Sequence, residues 1–409
     1  PDTDRYYLYH RRSAGPAVMI MPVILWTDAL VFLLLFAVML FGLYARRKPH
    51  LRAPWRHIFT GRIAAMSSVI LLSYVIIGFL DSLHFRLPLE SRGESQEAHY
   101  AVEVLSVLDV LLGPVRTQVE KSYSAPFATH LFTRETIEHP DGSQSRDYPR
   151  LTYGGIHLQD PVAERATDIL QRVLIALLQT LVTSVLVLFL LSAMLARRHN
   201  STTRDIRLDI LAARTEVPWR AILHSMSMVL LLVFVTINLA GAYHVLGTDK
   251  VGQDVFYQAL KSIRTGLVIG TLTTLVMLPF AILLGIMAGY LRGWVDDIIQ
   301  YVYTSLNSIP GVLLIAAAIL MLQVFIANNP ERFETTLERA DIRLLFLCMI
   351  LGITSWTGLC RLLRGESLKL REVEFIQAAA SFGVSHTRII TRHILPNVMH
   401  IVLITVVLD

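Results

Sequence analysis

The sequence predicts an all-α, polytopic integral membrane protein, and three observations carry that reading. Of 409 residues, 54% are hydrophobic and only 17% charged, and the mean hydropathy is +0.52, a balance rare in a soluble domain of this length. Apolar runs recur along the chain at the length of about 20 residues needed to cross a ~30 Å hydrocarbon core. Arginine and lysine gather in loops that alternate counting places on one face of the membrane, as the positive-inside rule requires.

The candidate spans cover 17–45, 63–83, 169–196, 221–243, 263–291, 298–326 and 342–363, with a further apolar run from 394 that is still apolar at Asp409. Irregular backbone exposed to lipid leaves its amides unsatisfied, so these runs read as helices. Pro1 stands where an initiator methionine would, and both ends read as trimmed, with another span expected after Asp409. Arg46, Arg47, Lys48, Arg52, Arg56 and Arg62 form the first basic group. Arg197, Arg198, Arg204, Arg207, Arg214 and Arg220 form the second, and Arg361, Arg364, Lys369, Arg371, Arg388 and Arg392 the third. Placing all three in the cytoplasm puts Pro1, the 81–167 segment and the 245–262 loop outside.

The net charge of +5 and pI near 9.2 therefore express topology. No basic stripe interleaved with aromatics points to nucleic acid. Trp55, Trp219 and Trp294 fall near span ends, as interfacial anchors do. Cys348 and Cys360 lie twelve residues apart in one span, about 18 Å along a helix, too far to bridge.

Two regions of different character emerge. Residues 1–220 read as an amino-terminal extension with about three spans and an extracytoplasmic domain near 84–167. Residues 221–409 have short loops and regular spans. Within the outer segment, Pro140-Asp141-Gly142 and Tyr153-Gly154-Gly155 signal turns, and 102–115 is apolar enough for a helix. His84, His99, His130, His139 and His157 lack the close spacing of zinc ligands and read as scattered surface histidines. Asp81 reads as interfacial, and Asp296 and Asp297 as the capped start of a helix. Pro279 and Pro310 lie inside expected spans, where they kink helices.

Gln377-Ala378-Ala379-Ala380-Ser381-Phe382-Gly383, followed by Ile394-Leu395-Pro396, sits in a basic loop between two spans. Gln377 through Ala380 favour a helix that another surface can approach closely. Gly383 permits a turn that a β-carbon opposes. Ser385 can cap a second helix over 387–394 that shows Arg388 and Arg392 on one face, and Pro396 can mark a bend. Chemistry alone leaves two readings open: a docking loop, or an amphipathic helix on anionic lipid.

This loop resembles the EAA loop of ABC importer permeases. Residues 249–409 resemble the dipeptide, oligopeptide and nickel class, in particular its C-type subunit. The matching pieces follow family order: Leu246-Gly247-Thr248-Asp249-Lys250-Val251-Gly252-Gln253-Asp254-Val255-Phe256, Gly285-Ile286-Met287-Ala288-Gly289-Tyr290, Gly293-Trp294-Val295-Asp296, Ser308-Ile309-Pro310, Ser355-Trp356, and Phe375 through Pro396 and Asn397. Gln377 replaces the family's usual Glu, His393 its usual Ile and Gln253 its usual Arg; because Gln377 keeps hydrogen-bonding capacity but loses charge, docking to the ATPase is expected to rely less on an ion pair.

The resemblance implies a type I importer-like permease core over 221–409 with its EAA-like coupling loop near 374–396. It implies that Gln377, Ala378, Ala379 and Gly383 shape a coupling helix seated on an ATPase, with Arg388 and Arg392 adding contacts. Gly247, Thr248, Asp249, Gly252 and Asp254 would form an outer loop near a binding protein; as turn formers they equally suit a self-bonded turn. The implied partners are a second permease subunit, two ATPase subunits, an extracytoplasmic substrate-binding protein and membrane lipid. The chain itself would bind no cofactor: it has no GxxxxGK[ST] phosphate loop, so ATP and Mg belong to the partner subunits. The expected function is ATP-driven import of peptides in the bacterial inner membrane. Alternatives are metal-chelate or antimicrobial-peptide cargo, or a membrane scaffold or sensor; no nucleophile–base pair or metal cluster suggests an enzyme.

Overall fold

A computed structural model describes residues 20–48, 60–88, 100–138, 144–333 and 335–408. Arg52, Trp55, Arg56, His99, His139 and Pro140-Asp141-Gly142, named above, lie outside them. Among the described residues there are fourteen α-helices, in chain order. They are α1 (Trp26–Arg47), α2 (Arg62–Ser82), α3 (Val107–Leu111), α4 (Gly113–Thr117), α5 (Arg165–His199), α6 (Thr203–Leu211) and α7 (Trp219–Ala240). Then follow α8 (Val255–Leu291), α9 (Trp294–Ser308), α10 (Gly311–Asn328), α11 (Thr336–Arg371), α12 (Glu374–Ser381), α13 (His386–Ile389) and α14 (Leu395–Leu408). Short strands are β1 (Met21–Val23), β2 (His84–Pro88), β3 (Tyr100–Ser106), β4 (Glu135–Glu138) and β5 (Gln144–Asp147). The last two pair antiparallel, Glu135 opposite Asp147.

Eight helical segments among the described residues are long and apolar enough to cross a membrane. They coincide with the expected spans, with one correction. The run at 298–326 is two helices, because Pro310 ends the first and caps the second. Only α10 of this pair has the length and apolarity of a span. Pro310 is therefore a helix boundary rather than a kink, since its ring and missing N–H stop the ladder. Pro279 lies within α8, as expected.

The described residues fall into two compact units. The first lies in Pro1–Leu34, Pro88–Val104 and Thr265–Asp409, the second in Leu35–Leu87 and Leu105–Arg264. In the first, the main core joins Met277, Ile286, Trp356, Leu359 and Leu363 to Ile376, Ile389 and Ile394. Helices α8 and α11 approach closely here. A β-carbon at Gly285 would lie 2.8 Å from the Cys360 carbonyl oxygen, and one at Gly289 2.5 Å from that of Arg364. This Gly-x-x-x-Gly spacing is the small-residue seam that lets membrane helices touch backbone to backbone. Cys348 and Cys360 are buried and unbridged.

In the second unit, α5, α7 and α2 pack side by side, and Leu158, Leu239, Ala242 and Tyr243 form a smaller core. The helix expected over 102–115 is replaced by β3, α3 and α4. Val102 and Val104 favour extended backbone. Ser106 and Asp109 then close a reciprocal capping box that starts α3. Asp81 is 2% exposed, so it is buried rather than interfacial; it accepts from Lys261 at 2.8 Å and from Ser106 at 2.8 Å.

Candidate functional site

The coupling-loop candidate lies between α11 and α14. Helix α12 ends in a Schellman turn: Val384 N–H donates to the Ala379 carbonyl at 3.1 Å, and Gly383 N–H to that of Ala380 at 3.0 Å. This geometry needs a left-handed residue, and Gly383 supplies it at φ +76°. Ser385 occupies the start of α13, but its side chain makes no capping bond, which corrects the expected cap. The helix expected over 387–394 runs one α-turn and then widens into a π-helix, Ile390–Ile394. Pro396, two residues on, cannot donate to the Arg392 carbonyl, and a wide turn accommodates that missing bond.

Ile376, Ile389 and Ile394 are at most 1% exposed and root the loop in the core of the spans. What remains faces outward. Gln377, Ala378, Ala380, Gly383, Arg388 and Arg392 are exposed, and Ala379 is half-buried. Gln377 turns back to the Glu372 carbonyl at 3.2 Å. Arg388 and Arg392 make no ion pair among the described residues. Phe382, not singled out from the sequence, is 87% exposed at the apex, with Phe375 beside it in α12 47% exposed. A cleft of about 560 Å³ flanks the loop, lined in part by Arg292, Arg371, Glu372, Gln377 and His386. Its wall is braced by a contact between the Tyr290 hydroxyl and His386 Nδ1 at 3.0 Å, and by Arg371 donating to the Tyr290 carbonyl at 2.8 Å. Behind it, Arg364 grips Asp296 through two bonds of 2.6 and 2.7 Å, tying α11 to α9.

The outer-loop residues also come together, but as a folded turn. Gly247, Thr248, Gly252 and Asp254 are buried, and Asp249 is half-buried. Asp249 accepts from the amides of Val251 and Gln253 at 3.0 and 2.9 Å and from Gln258 at 2.6 Å. Burial pushes its carboxyl up, but these donors outweigh it and hold the group below the usual range. One oxygen of Asp254 caps α8 by accepting from Phe256 N–H at 2.8 Å. Its other oxygen meets His244.

The sequence reading missed what holds this turn down. Glu120 N–H donates to the Gly252 carbonyl at 2.9 Å, and Thr248 donates to the Ser122 carbonyl at 2.7 Å. His244, 1% exposed, stands between Asp254 at 2.7 Å and Glu120 at 3.3 Å. Glu120 also accepts from the amides of Thr152, Tyr153 and Gly154. Burial disfavours the imidazolium, yet the bonds to Asp254 and Glu120 push His244 up to about 9. Burial likewise raises Glu120, but His244 and the three amides pull it down to about 2. Ion pairs fix the neighbouring segment too. Lys261 meets Asp109 at 2.9 Å; burial raises the Asp109 carboxyl, but bonds from Tyr257, Ser106 and Lys261 hold it at about 2.

The histidines expected at the surface divide. His84 is buried at 6% exposure, a correction to the surface reading, whereas His157 is exposed and pairs with Asp168 at 3.0 Å. Among the described residues no group of three or more His, Cys, Asp or Glu could hold a metal.

Residues 281–409 match the family described as binding-protein-dependent transport system inner membrane component. The oligopeptide transport system permease protein OppC of Mycobacterium bovis is 32% identical over 169 residues, 41% of this chain and 53% of that protein. The glutathione transport system permease protein GsiD of Pectobacterium atrosepticum is 32% identical over 154 residues, 38% of this chain and 45% of its own. The dipeptide transport system permease protein DppC of Bacillus subtilis is 26% identical over 167 residues, 41% of this chain and 47% of its own. The chain spans about half the length of the curated relatives it matches. The family's inner-membrane character and the eight candidate spans place the chain in the cytoplasmic membrane as a multi-pass protein. Its residues 281–409 are thus similar to the inner-membrane components of binding-protein-dependent transport systems, the class its motifs resemble.

Proposed function

We propose that this chain is a transmembrane permease subunit of an ATP-driven, binding-protein-dependent importer of peptides or related small solutes. Residues 221–409 act as the permease core, and 1–220 extend it with additional spans and an outer domain. The chain has no catalytic role of its own. Two ATPase subunits carry ATP and Mg, a second permease completes the path, and an external binding protein delivers cargo. The assignment to peptides rests on relatives named for oligopeptide, dipeptide and glutathione transport.

The observation that carries the reading is the construction of the 374–396 loop. Three buried isoleucines anchor it among the span helices, while its apex shows Gln377, Ala378, Phe382, Arg388 and Arg392 outward. A knob that is exposed outside and rigidly rooted inside can pass a displacement to the helices it is rooted in. ATP binding would close the ATPases on the knob, shift it, and exchange inward- and outward-open states; hydrolysis would reset the cycle.

The test is reconstitution of the full complex in liposomes with labelled dipeptide and purified binding protein. Gly383→Val is expected to lower cargo-stimulated ATPase turnover about tenfold, within the usual range of coupling between sites, while membrane insertion is retained. Unchanged stimulation in that variant, or absence of ATP-dependent peptide uptake by the unaltered complex, would overturn the proposal.

A further inference from the structure

The hairpin between α5 and α7 concentrates positive charge, six arginines against three acids. It carries Arg197, Arg198, Arg204, Arg207, Arg214 and Arg220 against Asp205, Asp209 and Glu216. Asp205 is taken up by the cap of α6, where it accepts from the Thr202 hydroxyl at 2.5 Å. Arg220 donates to the Leu211 carbonyl at 3.3 Å. Arg197, Arg198, Arg204 and Arg214 are exposed, and none makes a side-chain hydrogen bond or ion pair among the described residues.

Arg207 is the unusual member. Its guanidinium carbon lies 4.0 Å from the centre of the Phe189 ring of α5. Its Nε is buried without a hydrogen-bond partner. A guanidinium held over an aromatic face can still direct its terminal N–H donors sideways, and a phosphate offers oxygens that can accept two of them at once.

The setting supplies the phosphate. Helix α5 has 35 residues, about 50 Å, whereas about 20 residues cross the hydrocarbon. Its ends therefore reach into the headgroup zone. Helix α6 packs back on α5, and its Ile210 is fully buried. Arg204, Arg207, Leu208 and Leu211 follow one another at helical spacing, so they share a stripe. Leu208 and Leu211 are 56% and 52% exposed. Leucines beside arginines on one stripe suit a helix lying at the boundary of acyl chains and phosphates.

We propose that this hairpin is a binding surface for anionic phospholipid headgroups. Arg204 and Arg207 grip the phosphate, Arg197, Arg198 and Arg214 supply the surrounding field, and Leu208 and Leu211 face the acyl chains. The lipid fixes α6 against the membrane and so holds the ends of α5 and α7 at a set depth.

The experiment is native mass spectrometry of the full chain in mild detergent, titrated with phosphatidylglycerol or phosphatidylcholine. The unaltered chain should retain phosphatidylglycerol in preference. The double variant R204Q/R214Q should lose about fivefold in phosphatidylglycerol affinity for each arginine removed, and R207Q should lose at least as much per residue. Phosphatidylcholine retention should not change. R134Q/R146Q removes the same charge from the outer domain and should leave phosphatidylglycerol retention intact. Should R207Q fail to fold, R204Q/R214Q still decides, because both of its side chains are exposed and unpaired. Equal retention by R204Q/R214Q overturns the proposal. So does an equal loss in R134Q/R146Q, which would make retention a matter of net charge. Displacement by inorganic phosphate at the same concentration also overturns it, since the site would then read a free anion.

Discussion

Gly252 and Gly383 have nearly the same backbone, φ +78° and +76°, in opposite surroundings. A β-carbon at Gly252 would lie 1.7 Å from the Glu120 carbonyl oxygen, whereas one at Gly383 would meet nothing within 4 Å. The turn at 247–254 is enclosed, with Thr248, Asp249, Gly252 and Asp254 bonded within it or to neighbouring segments. The coupling-loop apex is open, with an exposed phenylalanine and unpaired arginines. Shared local geometry is thus enclosed in one place and left exposed in the other. Burial, not conformation, separates the two.

The largest expected effect breaks the closed turn. Gly252→Val should cost about 3–5 kcal/mol, combining left-handed strain with overpacking, and should lower the thermal unfolding midpoint sharply in detergent. Gly383→Ala should cost only about 1 kcal/mol, the strain alone. Similar losses at both positions would erase the distinction.

Next comes the buried histidine. His244→Ala takes the shared counter-charge from Glu120 and Asp254 in the interior and should cost about 3–5 kcal/mol. The charge pattern also sets a pH dependence. With a folded value of about 9 above the ordinary 6.5, His244 contributes stability fully below pH 6.5 and loses it as pH rises through about 9. Glu120, lowered from 4.5 to about 2, contributes above pH 4.5 and loses its share as pH falls toward 2. Unfolding midpoints should therefore decline between pH 6.5 and 9 in the unaltered chain, and this decline should flatten in His244→Ala. A decline of equal steepness in both would place the titrating group elsewhere.

Smaller still in stability, and informative for that reason, is Phe382→Ala. An exposed side chain with no packing partners should change stability by less than about 0.5 kcal/mol, while cargo-stimulated ATPase turnover in the reconstituted complex falls. The smallest shift belongs to Arg388→Gln and Arg392→Gln, each within experimental error in unfolding and measurable only as weaker retention of the ATPase subunits. Loss of stability in any of these three would mean that the apex is packed, not open.

Hydrophobic patterning made the spans legible, because lipid demands long apolar helices whatever their neighbours. Gly383 was legible for a related reason: a helix end that reverses needs a left-handed residue. The break at Pro310 was not, since the apolar run continues on both sides of it and hydropathy ignores the ladder. The π-turn before Pro396 arises from one missing amide, which no periodicity records. His244 lies four residues beyond α7, in a stretch with no pattern of its own. Its partners Glu120 and Asp254 stand 124 and 10 residues away, and only folding brings them to it. Val102 and Val104 were read by their apolarity when their branching was the stronger cue.

The seam at Gly285 and Gly289 has a mechanical consequence. Where two helices meet through a layer of side chains, small rotamer changes let one slide along the other. At this crossing the glycine backbone packs directly on the Cys360 and Arg364 carbonyls and on the β-carbons of Leu363 and Ser367, which leaves little to shear. Helices α8 and α11 are therefore geared together: a rotation imposed at the loop end of α11 is carried by both as one stiff member, with little slack lost on the way.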